Sequence, residues 1–91
     1  MRYKIDFEPE VTKVIAKYKK SNQNRFKKLS KVLNDIAEHP RTGLGHPEAL
    51  VGGKGITYSR HIAGKDVVIY DIHDDSVSVL VLSVEGHYDD K

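Results

Sequence analysis

The spacing of apolar residues changes once along this chain, from every third or fourth position before His39 to every second position after Gly55, and that switch limits the folds open to it. Val11, Val14, Ile15 and Tyr18 stand at i, i+3, i+4 and i+7. They predict a helix entered at Pro9, with one apolar stripe and its lysines on the other faces. Ser21 and Asn22 are N-cap residues for a second helix, in which Phe26, Leu29, Val32, Leu33 and Ile36 form a stripe running to about Glu38. Ahead of both, Tyr3, Ile5 and Phe7 alternate with charged residues over Arg2 to Phe7, the pattern of a half-buried first strand.

From Ile56 the period is two. Ile56, Tyr58, Arg60 and Ile62 share a face, Ala63-Gly64-Lys65-Asp66 reads as a turn, Val67 to His73 as a strand, Asp74-Asp75 as a turn, and Ser76 to Val84 as a last strand. The expected order is β-α-α-β-β-β, an α+β chain whose two-helix hairpin packs on one face of a small antiparallel sheet and leaves the other face to solvent or ligand. Ninety-one residues hold one core and one site, so residues 1–91 are expected to form a single domain.

Several function classes drop out on composition. There is no cysteine, which excludes disulfides, thiol nucleophiles and cysteine-bound metal. The five histidines include no pair at i, i+2 or i, i+4, so nothing in their spacing asks for a metal, and no cofactor is expected. The longest apolar run, Val77 to Val84, is broken by Ser78 and Ser83 and is far short of the roughly 20 residues that cross a bilayer. With no membrane span and no apolar core of an export signal after Met1, a cytoplasmic location is expected.

The charge is uneven. Residues 11 to 34 carry eight Lys or Arg (Lys13, Lys17, Lys19, Lys20, Arg25, Lys27, Lys28 and Lys31) and no Asp or Glu, while the rest of the chain is net acidic. Such a stretch is either a solvated helix face or a surface for phosphate or an acidic partner.

Three segments hold candidate chemistry. Between His39 and Gly55 five glycines (Gly43, Gly45, Gly52, Gly53, Gly55) and two prolines (Pro40, Pro47) predict a long loop, in which Glu48 follows a rigid proline and precedes an apolar anchor at Leu50. An ordinary surface loop would read the same way. Arg60 shares a strand face with Ile56 and Tyr58, where a guanidinium meets either a ligand such as phosphate or a partner carboxylate. The closing Gly86-His87-Tyr88 places an imidazole and a phenol beyond a strand end.

In combination these segments resemble the YoeB/Txe branch of the RelE/ParE-type bacterial toxins. The resemblance spans essentially the whole chain. It is carried by Gly-x-Gly-x-Pro-Glu-x-Leu at residues 43 to 50, the aromatic-Ser-Arg-x-Ile strand at 58 to 62, the strand ending at Tyr70, and His87-Tyr88. It implies a RelE-like fold and metal-independent, ribosome-dependent cleavage of mRNA in the ribosomal A site. Glu48 would be the general base, His87 the general acid, Tyr88 a tyrosine that positions substrate, and Arg60 a phosphate-facing arginine. It also implies an acidic antitoxin partner of the YefM/Axe kind, as a homodimer or a toxin–antitoxin heterocomplex.

Two cationic positions depart from the family. Val67 stands where these toxins carry an arginine, and Val51 where they carry a lysine. Lys65, Lys54 and His61 are the candidates to supply that charge against RNA, with Lys27, Lys28 and Lys31 as further RNA contacts. Asp89-Asp90-Lys91 extends past the tyrosine at which the family usually stops. A catalytically weakened member that binds its antitoxin and autoregulates is one alternative. A ParE-like toxin with a protein target is another, although that would not need Glu48 and His87 together.

Overall fold

The computed structural model describes residues 2–50 and 56–85. After strand β1 (Lys4–Phe7), helix α1 (Pro9–Ser21) starts with proline in its first turn, where the missing N–H has no intrahelical partner to lose. Asn22 ends one helix and begins the next. Its backbone N–H bonds to the Tyr18 carbonyl at 2.7 Å, while its side chain accepts the Arg25 N–H at 3.3 Å and caps α2 (Gln23–Glu38). Ser21, also an expected cap, instead closes α1, its hydroxyl donating to the Lys17 carbonyl.

The remaining elements are β2 (Glu48–Ala49), β3 (Thr57–Ala63), β4 (Asp66–His73), a one-turn 3₁₀ helix at Asp74–Ser76, and β5 (Ser78–Glu85). They form one sheet in the order β1-β5-β4-β3-β2. Two features correct the sequence expectation. The sheet is mixed, because β1 runs parallel to β5 in the register Lys4↔Ser78 to Phe7↔Val81. The predicted loop also contains a short strand, β2, which pairs antiparallel to β3 as Glu48↔Ser59 and Ala49↔Tyr58.

Both helices cover one face of the sheet. Val11 of α1 and Leu29, Val32 and Ile36 of α2 meet Val68, Tyr70 and Ile72 of β4 and Val79, Val81 and Val84 of β5. Val81 and Val84 are three apart yet both buried. A bulge at the β4–β5 pairing, where Tyr70 opposes Val81 but Ile69 opposes Ser83, adds the residue that restores the inward face. Arg25 ties the helical hairpin to the β3–β4 turn, its Nη1 lying 2.7 Å from the buried Asp66 carboxylate. That contact is electrostatic, without hydrogen-bond alignment at Asp66 Oδ2. Among the described residues no helix is long and apolar enough to cross a membrane.

The segment before β2 is pressed against the sheet edge. Gly45 has φ +79°, and its carbonyl accepts the His61 N–H at 2.7 Å; a Cβ there would lie 2.3 Å from the His61 carbonyl oxygen. Gly45→Ala is therefore expected to destabilise the fold by at least about 1–3 kcal/mol, the range for a non-glycine residue held at positive φ. A fall in the urea midpoint at unchanged m-value would show it, and wild-type stability would contradict the close approach.

Candidate functional site

Directly opposed residues in antiparallel strands project to the same side of a sheet. On the face away from the helices, Glu48, Ser59, Ile69 and Ser83 form one row from β2 to β5, Thr57, Asp71 and Leu80 a second, and His61 with Val67 a third. Glu48 is exposed on this open face, and the chain on either side of it is fixed. The Gly45 carbonyl holds the His61 N–H upstream, and the Leu50 N–H donates to the Thr57 carbonyl at 2.8 Å downstream. His61 is exposed two residues beyond Ser59 on β3, diagonal to Glu48.

The other expected site residues are more scattered. Lys65 is exposed in the β3–β4 turn, and Lys27, Lys28 and Lys31 are exposed along α2. Lys28, Lys31 and His61 line a groove of about 340 Å³ at the sheet edge, together with Val32, Leu44 and Ile62. Lys27 faces a different depression beside Lys19 and Phe26. Val67 is half-buried opposite His61, so the two share the open face. Lys54, His87, Tyr88 and Val51 lie outside the described residues.

Arg60 requires a correction. It points to the helix side of the sheet and is 0% exposed, so no phosphate on the open face meets it. All five of its N–H donors are used within the protein. Nε donates to the Tyr70 hydroxyl at 3.0 Å. Nη1 donates to Asp35 Oδ2 at 2.5 Å and the Leu44 carbonyl at 3.1 Å. Nη2 donates to the carbonyls of Thr42, at 2.7 Å, and His39. Asp35 Oδ2 also accepts the Leu44 N–H at 3.0 Å, and the Tyr70 hydroxyl donates to the Pro40 carbonyl at 2.8 Å. Three side chains thus hold the carbonyls of His39, Pro40, Thr42 and Leu44 and the Leu44 N–H. Gly43, at φ +112°, belongs to the same arrangement, because a Cβ there would fall 2.0 Å from Asp35 Oδ2.

The electrostatics fit these roles. Burial pushes the Asp35 carboxyl upward, but hydrogen bonds from Arg60 and the Leu44 N–H, with the charge of Arg60, outweigh it and hold the group below the ordinary 3.8. Burial raises the Tyr70 phenol above 10.0 against the opposing effect of Arg60, which keeps it a neutral donor to Pro40. Next to Pro40, Arg41 bonds to Asp74, as does Tyr3 just before β1, and Arg41 chiefly lowers that carboxyl too.

A carboxylate with a depressed folded-state pKa stabilises the fold at any pH above its unfolded value, and that contribution fades as pH falls through the folded value. Stability is therefore expected to hold down to about pH 4 and drop below it, with Asp35→Asn flattening the acid limb of a urea-midpoint series. An acid limb unchanged by Asp35→Asn would remove Asp35 from the account.

Neither Asp35 nor Tyr70 was singled out on sequence as a site residue. A signal did exist. An arginine on an apolar strand face needs a buried carboxylate, and Asp35 lies three residues after Val32, at the border of the buried stripe of α2.

Comparison with known proteins adds an independent line. Residues 7–88 match the family described as the YoeB-like toxin of bacterial type II toxin–antitoxin systems. Toxin YoeB of Mycobacterium bovis is 24% identical over 76 residues, covering 84% of this chain and 89% of that protein. Among solved structures, the YoeB dimer from Staphylococcus aureus superposes with a TM-score of 0.82 at 25% identity, over 97% of this chain and 100% of that one. The YoeB–YefM complex from the same organism gives 0.81 at 26% identity, over the same shares.

Proposed function

Since the chain belongs to the YoeB-like toxin family of bacterial type II toxin–antitoxin systems, we propose that it is a cytoplasmic mRNA endonuclease acting on the ribosome, with Glu48 as general base and His87 as general acid. The observation that carries this reading is Glu48 itself: an exposed carboxylate on the open sheet face, in a backbone segment bonded to β3 on both sides. Rigid placement of this kind is what proton transfer in a transition state requires.

Glu48 takes the proton of a ribose 2′-hydroxyl, and the 2′-oxygen attacks the adjacent phosphorus. The bond from phosphorus to the 5′-oxygen breaks while the His87 imidazolium protonates that oxygen, leaving a 2′,3′-cyclic phosphate and a 5′-hydroxyl. Neither proton transfer needs a metal ion. β5 ends at Glu85, two residues before His87 in sequence and in the row of Val67 and His61. β2 and β5 are three strand spacings apart, roughly 14 Å, with the open face of β3 and β4 between them. Tyr88 positions the substrate. His61, Lys65, Lys54, Lys28 and Lys31 contact phosphate, and Lys27 extends the basic surface of α2 toward ribosomal RNA.

An acidic antitoxin is the expected partner. The S. aureus relative is found both as a dimer and with YefM, which supports either assembly here. One observation favours a second reading, a weakened enzyme that serves mainly to bind its antitoxin: with Arg60 buried, the open-face residues Glu48, Thr57, Ser59 and His61 of β2 and β3 include no lysine or arginine.

Induction of the chain in a bacterial host, with mRNA 5′-ends mapped for wild type, Glu48→Ala and His87→Ala, separates these readings. Growth arrest with new 5′-ends, lost in both variants, is expected. Arrest that survives both substitutions removes the nuclease reading, and arrest without new 5′-ends points to a protein target. Wild type without any arrest supports the binding module.

A further inference from the structure

We propose that Asp35, Arg60 and Tyr70 form a buried clamp whose function is to position Glu48, which makes all three positioning residues of the proposed nuclease. The inference rests on the reading of Glu48 as the base. Glu48 sits on a strand of two residues, too short to hold its own register, at the end of a segment with no other regular structure from His39 onward. Backbone in such a segment keeps one conformation only if its polar groups are tied to something rigid.

Here the rigid body is the core. Arg60 and Tyr70 stand on β3 and β4, Asp35 on α2, and Tyr70 is fixed further by stacking on Tyr58 with ring centroids 6.3 Å apart. From these anchors the clamp takes the carbonyls of His39, Pro40, Thr42 and Leu44 and the Leu44 N–H, one residue before the Gly45 carbonyl docks on β3. Between Gly45 and Glu48 stand only His46, at φ 55°, and Pro47, whose ring fixes its own φ. The constraint on Leu44 therefore passes along a short, stiff path to Glu48. Arg60 has no surface to offer a substrate, so whatever it adds to the reaction it adds through the backbone.

Removing Arg60 threatens the whole fold, so the test uses Tyr70→Phe, which keeps the stacked ring and deletes the hydroxyl, with Asp35→Asn as a second variant of unchanged shape. On ribosomes programmed with a defined mRNA, each is expected to lower kcat for cleavage about tenfold or more with KM within about twofold, since small misplacement of a catalytic group is felt mainly in the chemical step. Hydrogen exchange at the Leu44 amide should accelerate while the thermal transition stays cooperative.

A double-mutant cycle decides the route. In a Glu48→Gln background, followed in single turnovers, Tyr70→Phe should cause no further loss if it acts through Glu48. Undiminished kcat in folded Tyr70→Phe and Asp35→Asn, or an equal loss with and without Glu48, overturns the clamp. Full activity of Glu48→Gln alone overturns the base assignment and the clamp together, so the two failures are distinct.

Discussion

Arg60→Met is expected to destabilise the chain by about 3–5 kcal/mol, the range for removing one partner of a buried ion pair. Total stability for a domain of this size is about 5–10 kcal/mol, so the variant should be close to unfolding at room temperature. The loss has two sources. Asp35 keeps its charge without its main partner, and the carbonyls of His39, Thr42 and Leu44 lose their donor inside the protein. The Asp35 side chain is 19% exposed, so some solvation survives and the lower half of the range is expected. By contrast Arg2→Met, which removes the exposed pair with Glu38 and an exposed hydrogen bond to Asn34, should change stability by about 1 kcal/mol or less. With an m-value near 1 kcal/mol per molar urea, the Arg60 variant should move the midpoint by about 3 M. A change under about 1 kcal/mol would show that Arg60 is not the keystone of the loop.

Glu48→Gln should act in the opposite way, leaving the fold intact and removing the chemistry. The side chain is exposed and no described partner depends on it, so the urea midpoint should stay within about 0.5 kcal/mol of wild type. General base catalysis by one positioned group contributes about 10²- to 10⁴-fold, and the cleavage rate should fall by that factor. His87→Ala should show a similar fall, partly offset at low pH if solvent supplies the proton. Since the groups act in one transition state, the double variant should lose less than the product of the two single losses. A Glu48→Gln protein that cleaves at wild-type rate would end the acid–base scheme.

Much of the fold was legible in the sequence because the apolar period reports local geometry directly. The stripe at Val11, Val14, Ile15 and Tyr18 and the alternation from Ile56 each became the element they predicted. Period does not report which strands become neighbours. The parallel β1–β5 pair joins opposite ends of the chain, and nothing in Arg2–Phe7 names its partner. The two-residue β2 was hidden for a related reason: its pairing is set by the Gly45 approach to β3 and not by residues that favour strands.

The candidate site was half legible. Glu48 stood out because a proline and glycines frame it, and the structure exposes it on the open face. Arg60 stood out as a charge on an apolar face, which left two readings, a ligand or a buried carboxylate. Only the three-dimensional neighbourhood of Asp35, Tyr70 and the loop carbonyls decides for the second.

The position of β5 in the middle of the sheet has a consequence for how the chain is made. β5 separates β1 from β4, so β1 has no strand partner until β5 has been synthesised. A nascent chain lacking β5 is left with the β2–β3–β4 meander, α2 against β3, and α1 without the strand it packs on. Closing the sheet across so long a separation in sequence is slow compared with helix formation. Competence thus arrives all at once, only after β5 has been synthesised, and any protein that captures the immature form has a window in which to do so.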